Sequence, residues 1–249
     1  MNIDTAIQNS FAQLSSGKRI NSAADDPAGL ATSEGLTSQI NGYAQVSDNA
    51  LSAKDLAGTA EGSLSSINDS LQRMRDLAVQ ASSGTNSADD RKLIQNEIDQ
   101  LKSSISDAAK NTDFNTIKVL DGSFSNKGVA SNPSGTGRTM TIQNSSLETL
   151  GIDKFDVTQP FDISTIDNAI NQVSDSRSNL GATSNSLSYE ASVNDTAAEN
   201  LSSSESRISD ADMAKTITDL KTQQLQQQIQ IYAQKTKMDQ GSSVLNLLT

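Results

Sequence analysis

The chain has 249 residues, a formal net charge of −11 at pH 7, and neither histidine nor cysteine. The acidic balance disfavours duplex nucleic acid and anionic membranes as partners, and the missing side chains exclude a Ser-His-Asp triad, thiol chemistry and His-ligated zinc. Only 34% of the residues are hydrophobic and 3% are aromatic. That is too few for a thick core, and it favours long helices that share narrow apolar seams.

The first predicted helix follows an apolar seam whose members recur at intervals of three and four residues. The spacing is typical of a coiled coil with one stammer near Tyr43, and it predicts a helix over about 28–83, begun by Pro27 and ended before Gly84. An ordinary bundle helix is the alternative, but the length of the pattern favours a rod. The seam consists of Leu36, Ile40, Tyr43, Val46, Ala50, Ala53, Ala57, Ala60, Leu64, Ile67, Leu71, Met74 and Ala78.

Two more helices continue the same spacing. Ser87 with Asp90 predicts the capping box of a helix over about 87–110, and Ser164 with Asp167 predicts the start of another over about 164–204. We expect seven apolar side chains to pack together between the three helices: Leu64, Ile67, Leu71, Ile98, Leu101, Leu180 and Leu187. Four seam positions of the third helix are polar, which weakens packing but fixes register: Arg177, Ser184, Asn194 and Glu205.

Residues 113–160 have a different composition. "TIKVL" and "RTMTI" are short β-like runs, and the turn-rich stretch "SFSNKGVASNPSGTG" lies between them. We expect one small hairpin region with irregular chain rather than a second globular domain.

The two ends of the chain match each other as short amphipathic segments. Each is joined to the middle by a polar stretch, at 15–27 and at 202–210. The order predicts a mainly α fold: a long antiparallel helical coiled-coil bundle with one small β-hairpin region, and terminal helices that pair as an inner core.

Five stretches and the terminal "VLNLL" (244–248) resemble bacterial flagellin. The stretches are "LSSGKRINSAADDPAGLA" (14–31), "LQRMRDLAVQASSGTNS" (71–87), "IQNEIDQL" (94–101), "TDFNTIKVLDG" (112–122) and "SRISDADMAKTITDLKTQQLQQQ" (206–228). The resemblance implies an N-terminal inner-tube helix remnant and spoke (1–27), an outer-tube rod domain (28–208) and a C-terminal inner-tube helix (209–249). It also implies a short form without large outer domains. Because flagellins usually begin about five helical turns earlier, the comparison predicts that the first part of the N-terminal helix is missing.

The same resemblance implies a structural role: a subunit that self-assembles into the helical tube of the flagellar filament and serves swimming. Such a protein is extracellular and secreted without a cleaved signal peptide, and the first residues lack the basic start and apolar block of one. Its implied partners are further copies of itself, an export chaperone, the type III export apparatus, and the filament cap and hook-junction proteins. We expect no enzyme activity, cofactor, metal, nucleic acid or membrane insertion, since no apolar run reaches the roughly 18 residues of a span.

The resemblance also implies two functional surfaces. The first is a surface for a neighbouring subunit and, in the monomer, for a Toll-like innate immune receptor of animal hosts: Gln72, Arg73, Asp76, Leu77, Val79 and Glu97. The alternative for this stretch is a solvated helix face with Arg–Asp pairs. The second is an inner-tube assembly and chaperone segment: Ile217, Leu220, Leu225, Ile229, Tyr232, Val244, Leu245, Leu247 and Leu248.

Two rival functions remain open from the sequence. A hook–filament junction protein shares the terminal helices, and a cell-surface flagellin homologue could bind polysaccharide. "LQRMRDLAV" and "TDFNTIKVL" favour flagellin proper, and few aromatic residues are placed to bind a sugar.

Overall fold

The computed structural model describes the backbone of residues 3–248 and the side chains of residues 3–242. These residues form a mainly helical structure with two small antiparallel hairpins, which confirms the predicted fold class. The helices are α1 (Ile3–Ser16), α2 (Pro27–Ala81), α3 (Ala88–Asn111), α4 (Leu147–Leu150), α5 (Ser164–Ser209) and α6 (Met213–Leu248). The strands are β1 (Asp113–Phe114), β2 (Ile117–Lys118), β3 (Lys127–Ala130) and β4 (Gly137–Met140).

The chain divides into two compact units. The central unit is Gly42–Ala197, and the terminal unit combines Met1–Asn41 with Ala198–Thr249. Both boundaries fall inside helices, α2 and α5, so each of these helices contributes to both units. This division describes compactness in one chain. The inner-tube and outer-tube division expected from the resemblance concerns a filament and stays a prediction.

The core of the central unit is built from α2, α3, α5 and the chain that connects α3 to α5. The predicted seam of α2 supplies several large side chains of this core. Among them, Leu64 and Leu71 have no exposed surface. Ile98 of α3 and Leu180 of α5 belong to the same cluster, and Leu101 packs against it half-buried. The prediction for these helices is therefore confirmed except for Leu187.

Leu187 belongs to a second, smaller cluster. It packs with alanines of α2 and α5, and Val129 of strand β3 lies against them. Alanine side chains allow a close approach of the two helices, so this stretch of the interface has room for a single large residue. The β3–β4 hairpin then covers it, and Arg138 of β4 binds Glu190 of α5 at 2.9 Å.

The β region contains two hairpins rather than the one that the sequence predicts. Strand β1 pairs with β2, and β3 pairs with β4. Asn115 and Thr116 connect β1 to β2 with φ angles of 49° and 67°. Two consecutive positive φ angles are typical of a type I′ turn, so this hairpin closes locally within "DFNTIK".

The helix starts show one confirmed cap and one correction. Ser87 and Asp90 form the predicted capping box of α3. At the start of α5, however, Asp162 accepts hydrogen bonds from the Ser164 N–H at 2.9 Å and from its hydroxyl. Asp167 is instead turned to α2, where it binds Arg75 at 2.6 Å. Helix α5 also continues to Ser209, through the stretch expected to be a break.

The continuation of α5 has a physical reason. The stretch 202–209 is rich in serine but contains no proline or glycine, so nothing in it interrupts a helix. Glu205, in one of the polar seam positions, accepts a hydrogen bond from the Ser33 hydroxyl of α2 at 2.7 Å. This contact stabilises the last turns of α5 on the start of α2.

In the terminal unit, α1 lies against α6. The Ser10 hydroxyl donates to Gln223 Oε1 at 3.1 Å, and the Gln227 amide donates to Asp4 Oδ1 at 2.7 Å. Within the part of the chain that the structure describes, no helix combines the length and apolar character needed to cross a membrane.

Candidate functional site

The first predicted surface lies on α2, on the opposite side from its buried seam. Leu71, Met74 and Ala78 have no exposed surface, because they are spaced to face the core. Gln72, Arg73, Asp76 and Val79 occupy the remaining directions of the same turns and are exposed. The structure therefore brings four of the six predicted residues to solvent on one helix. We call Gln72, Arg73, Asp76, Val79 and Glu97 the α2–α3 surface.

Arg73 and Glu97 form a paired centre in this surface. The Nε and Nη2 atoms of Arg73 both donate to Glu97 Oε1, at 2.8 and 2.6 Å. The two side chains are about half exposed, so solvent screens the pair and its contribution to stability is below about 1 kcal/mol. The contact fixes the guanidinium orientation without sealing it from solvent.

Leu77 is a correction to the predicted surface. It is only 2% exposed and belongs to the main core cluster of the central unit. Leu77 lies three residues after Met74, so the buried face of α2 is wider here than the seam. A partner can reach it only after the core opens.

Two neighbours of this surface were missed from the sequence. Leu93 lies one turn before Glu97 on α3 and is 69% exposed, although it is a large apolar side chain. Its position outside the 94–98–101–105 seam was the available signal. Arg75 lies two residues from Arg73 but pairs with Asp167 of α5, and that hydrogen bond raises the pKa of the Arg75 guanidinium.

The turn after α2 leads into α3 through a tightly hydrogen-bonded cap. The Ser87 hydroxyl and main-chain N–H donate to Asp90 Oδ2 at 2.7 and 2.9 Å. These bonds stabilise the charged carboxylate and lower the pKa of Asp90 below its ordinary value. The acidic cluster at 87–90 thus serves the helix start, as predicted, and positions the first turns of α3 that carry Glu97.

The second predicted surface lies on α6. Ile217, Leu225, Ile229 and Tyr232 are exposed, and together with Ile231 and Met238 they give this helix an unusual amount of solvent-exposed apolar surface. Leu220 of the same segment is buried within the terminal unit. Helix α1 accounts for this, since Ser10 contacts Gln223 nearby. The side chains of Val244, Leu245, Leu247 and Leu248 lie outside the described residues.

Several carboxylates of the described residues serve caps and ion pairs. Within residues 3–242, no group of three or more carboxylates is arranged to hold a metal ion. The acidic stretch 22–26, which precedes α2, shows how such carboxylates are used instead. Asp25 accepts hydrogen bonds from the N–H groups of Asn21 and Ser22 and from the Ser22 hydroxyl, and these bonds lower the pKa of Asp25.

Comparison with known families gives two matches that together cover most of the chain. A family described as the bacterial flagellin N-terminal helical region matches residues 1–125, and one described as the bacterial flagellin C-terminal helical region matches residues 163–248. The interval between the matches contains the β3–β4 hairpin and α4.

Individual relatives agree with these matches. The flagellar filament 33 kDa core protein of Treponema phagedenis is 36% identical over 270 aligned residues, which cover 99% of this chain and 94% of the relative. A flagellin of Halalkalibacterium halodurans is 39% identical over 216 residues, covering 84% of this chain and 79% of the relative. The structure of a flagellar hook-associated protein from Vibrio parahaemolyticus matches with a TM-score of 0.60 over 75% of this chain and 100% of that one. At 18% identity this last likeness concerns the fold alone.

Proposed function

The chain belongs to the bacterial flagellin family, and on this premise we propose that copies of it polymerise into a filament whose rotation drives swimming. Flagellins are structural subunits of the extracellular flagellar filament and not enzymes. The observation that carries the proposal is the near full-length similarity to a flagellar filament core protein. A heterologous contact that does not close on itself produces such a helical fibre.

The proposal assigns different roles to the parts of the chain. Residues 28–208 form the outer-tube rod, and residues 1–27 with 209–249 form the inner tube. Support comes from the exposed apolar surface of α6, which has no covering partner at Leu225, Ile229 and Tyr232 within the described residues. Apolar surface of that extent favours burial against neighbouring copies.

A complementation experiment tests this function. A bacterium made non-motile by deletion of its own flagellin genes should regain filaments in electron micrographs, and swimming in soft agar, when it expresses this chain. The double variant Leu225→Ser, Ile229→Ser should abolish filaments, whereas Gln228→Ala, at an exposed polar position between them, should not. Normal filaments from the double variant would contradict the role of α6, and no filaments from the parent chain would contradict the proposal itself.

The proposed route of secretion uses the same helix. The chain leaves the cell through the type III export apparatus without a cleaved signal peptide, with an export chaperone on α6, and it meets the cap and hook-junction proteins outside. A chaperone that covers apolar surface before assembly explains how α6 avoids aggregation. Deletion of residues 213–249 should leave the chain inside the cell, and its normal appearance in the medium would contradict this route.

The α2–α3 surface supports recognition by a host Toll-like receptor. Arg73 presents a planar multi-donor group and an apolar stem, which makes arginine a frequent anchor in protein interfaces. Glu97 holds this group in one orientation, so a partner meets it preorganised. Gln72, Asp76 and Val79 supply the surrounding contacts, and Leu77 acts from beneath by supporting the helix.

Receptor signalling by purified monomer tests this recognition. Arg73→Ala should reduce potency by about tenfold or more, a loss of about 1.4 kcal/mol. Arg75→Ala is the matched control, because this half-exposed arginine lies on the same helix but points to Asp167 of α5. If the parent, Arg73→Ala and Arg75→Ala had equal potency at equal helicity, the proposed recognition would be wrong and this face would be an ordinary solvated helix surface.

A further inference from the structure

We propose that Arg19 is a positioning residue that orders both terminal helices together, by joining the end of α5 to the start of α2. Arg19 lies in the connection between α1 and α2, and its contacts lie within the terminal unit. The proposal concerns the isolated chain and does not depend on filament assembly.

The two interhelical connections first meet through their main chains. Lys18 and Asp210 form an isolated antiparallel bridge. The Arg19 N–H donates to the Ser209 carbonyl at 2.6 Å, and the Ala211 N–H donates to the Gly17 carbonyl at 3.0 Å. The connection after α1 and the connection before α6 are therefore paired as one very short ribbon, which we call the joint.

The Arg19 side chain extends this pairing to both long helices. Its Nη2 donates to the Ile208 carbonyl at 2.6 Å. That carbonyl is in the last turn of α5, where main-chain acceptors lack helical partners and positive charge is favourable. The same nitrogen lies 3.8 Å from Asp26 Oδ2. Asp26 in turn accepts a hydrogen bond from the Gly29 N–H in the first turn of α2, at 2.8 Å.

A buried contact beside Arg19 holds the joint against α2. Ile20 is buried, and its Cδ1 atom lies 2.7 Å from the position that a Cβ atom at Gly29 would occupy. The Asp26 carboxylate also lies too close to that Cβ position for a side chain to fit there. Gly29 therefore leaves the space that Ile20 and Asp26 fill, and this fixes where the chain enters α2.

Lys18 adds a second link between the joint and α5. Its Nζ lies 3.8 Å from Glu205 Oε1, the oxygen that also accepts the Ser33 hydroxyl of α2. The Glu205 side chain is largely buried, so this link is less screened than a pair in open solvent. These side-chain contacts thus join the connection after α1 to the last turns of α5 and to the start of α2.

Coupled ordering follows from where Arg19 stands in the chain. Arg19 lies in the connection that follows α1, and Ile208 and Ser209 end α5 just before the connection that leads to α6. Loss of the Arg19 side-chain contact therefore weakens a link that both connections share. Helix α1 has 14 residues, which is marginal for an isolated helix, and it depends on α6 for its tertiary contacts. Opening of the joint should therefore loosen α1 and the part of α6 that faces it together.

Amide hydrogen exchange on the full monomer tests this coupling. Arg19→Ala should speed exchange by about tenfold in both α1 and residues 213–228, and leave residues 42–197 unchanged. Arg207→Ala is the matched control, because this exposed arginine donates to Ser204 of its own helix, and it should behave like the parent. Faster exchange in neither helix, or in only one of them, would overturn the coupling.

A conservative variant separates position from charge. Arg19→Lys keeps the charge, but a single ammonium group cannot reproduce the planar guanidinium at the Ile208 carbonyl and Asp26. Its exchange should resemble that of Arg19→Ala. Full protection in Arg19→Lys would show that charge alone suffices and would overturn the positioning role.

Discussion

Helix α3 offers a graded test of the core, because three of its aliphatic side chains differ mainly in burial. Ile98 has no exposed surface, Leu101 is half-buried, and Leu93 is 69% exposed. Complete truncation of a buried aliphatic side chain to alanine costs about 2–5 kcal/mol from lost transfer energy and the cavity left behind. We expect about 3–4 kcal/mol for Ile98→Ala, about 1–2 kcal/mol for Leu101→Ala, and below about 0.5 kcal/mol for Leu93→Ala.

Urea unfolding followed by far-ultraviolet circular dichroism measures these differences. At about 2–4 °C per kcal/mol, the Ile98 variant should also melt roughly 6–16 °C below the parent. Leu93→Ala is the matched control, since it removes an equally large side chain from the same helix. If Leu93→Ala cost as much as Ile98→Ala, or if Ile98→Ala unfolded with the parent, the assignment of α3's buried face would be refuted.

Three further predictions concern local features. Asp90→Asn should destabilise the chain at neutral pH, and the difference in stability from the parent should vanish at acid pH. The reason is that folding lowers the pKa of Asp90. Its carboxylate therefore adds stability above the ordinary pKa of about 3.9, and this stability is lost as the pH falls through the folded pKa. Melting temperatures at both pH values check it, and a constant difference would contradict it. Thr116→Gly should raise the free energy of unfolding in urea by up to about 1 kcal/mol, because Thr116 has a φ of 67°. A lower free energy of unfolding would contradict this. Gly42→Ala places a Cβ 2.9 Å from Pro133 Cβ, so hydrogen exchange at 131–136 should quicken, and unchanged exchange would show that the loop adapts.

The seam of α2 could be predicted from the sequence because its signal is local. Residues such as Leu64, Leu71 and Met74 recur with the helical period, and period alone tells which side is buried. The width of the buried face is not local information. It depends on how many elements pack around α2, and the main cluster of the central unit buries Leu77 as well as the seam. The surface role of Leu77 came from family resemblance, and tertiary packing contradicts it.

The joint could not be predicted because its bonds connect residues that are distant in sequence and largely use main-chain atoms. Arg19 and Ile208 are 189 positions apart, and the acceptor is a carbonyl that every residue possesses. Polar composition predicts interruptions of the helical pattern at 15–27 and 202–210. In the structure the second stretch is mostly helix, and the first carries a buried Ile20 and a capped turn. Composition alone does not distinguish a flexible linker from a hydrogen-bonded one.

Burial also decides which residues of the α2–α3 surface a partner can use. Separation of Arg73 from Glu97 costs below about 1 kcal/mol, because both side chains are half exposed and screened. Exposure of Leu77 would remove a core side chain from its cluster, at a cost of about 2 kcal/mol or more. A partner that forms a charge-assisted hydrogen bond with Arg73 gains about 1.5–3 kcal/mol. That gain offsets the cost of separating Arg73 from Glu97, but it leaves little to offset the cost of exposing Leu77. The recognition proposed for this surface therefore needs at most a small rearrangement of the Arg73–Glu97 pair, and it leaves the core beneath intact.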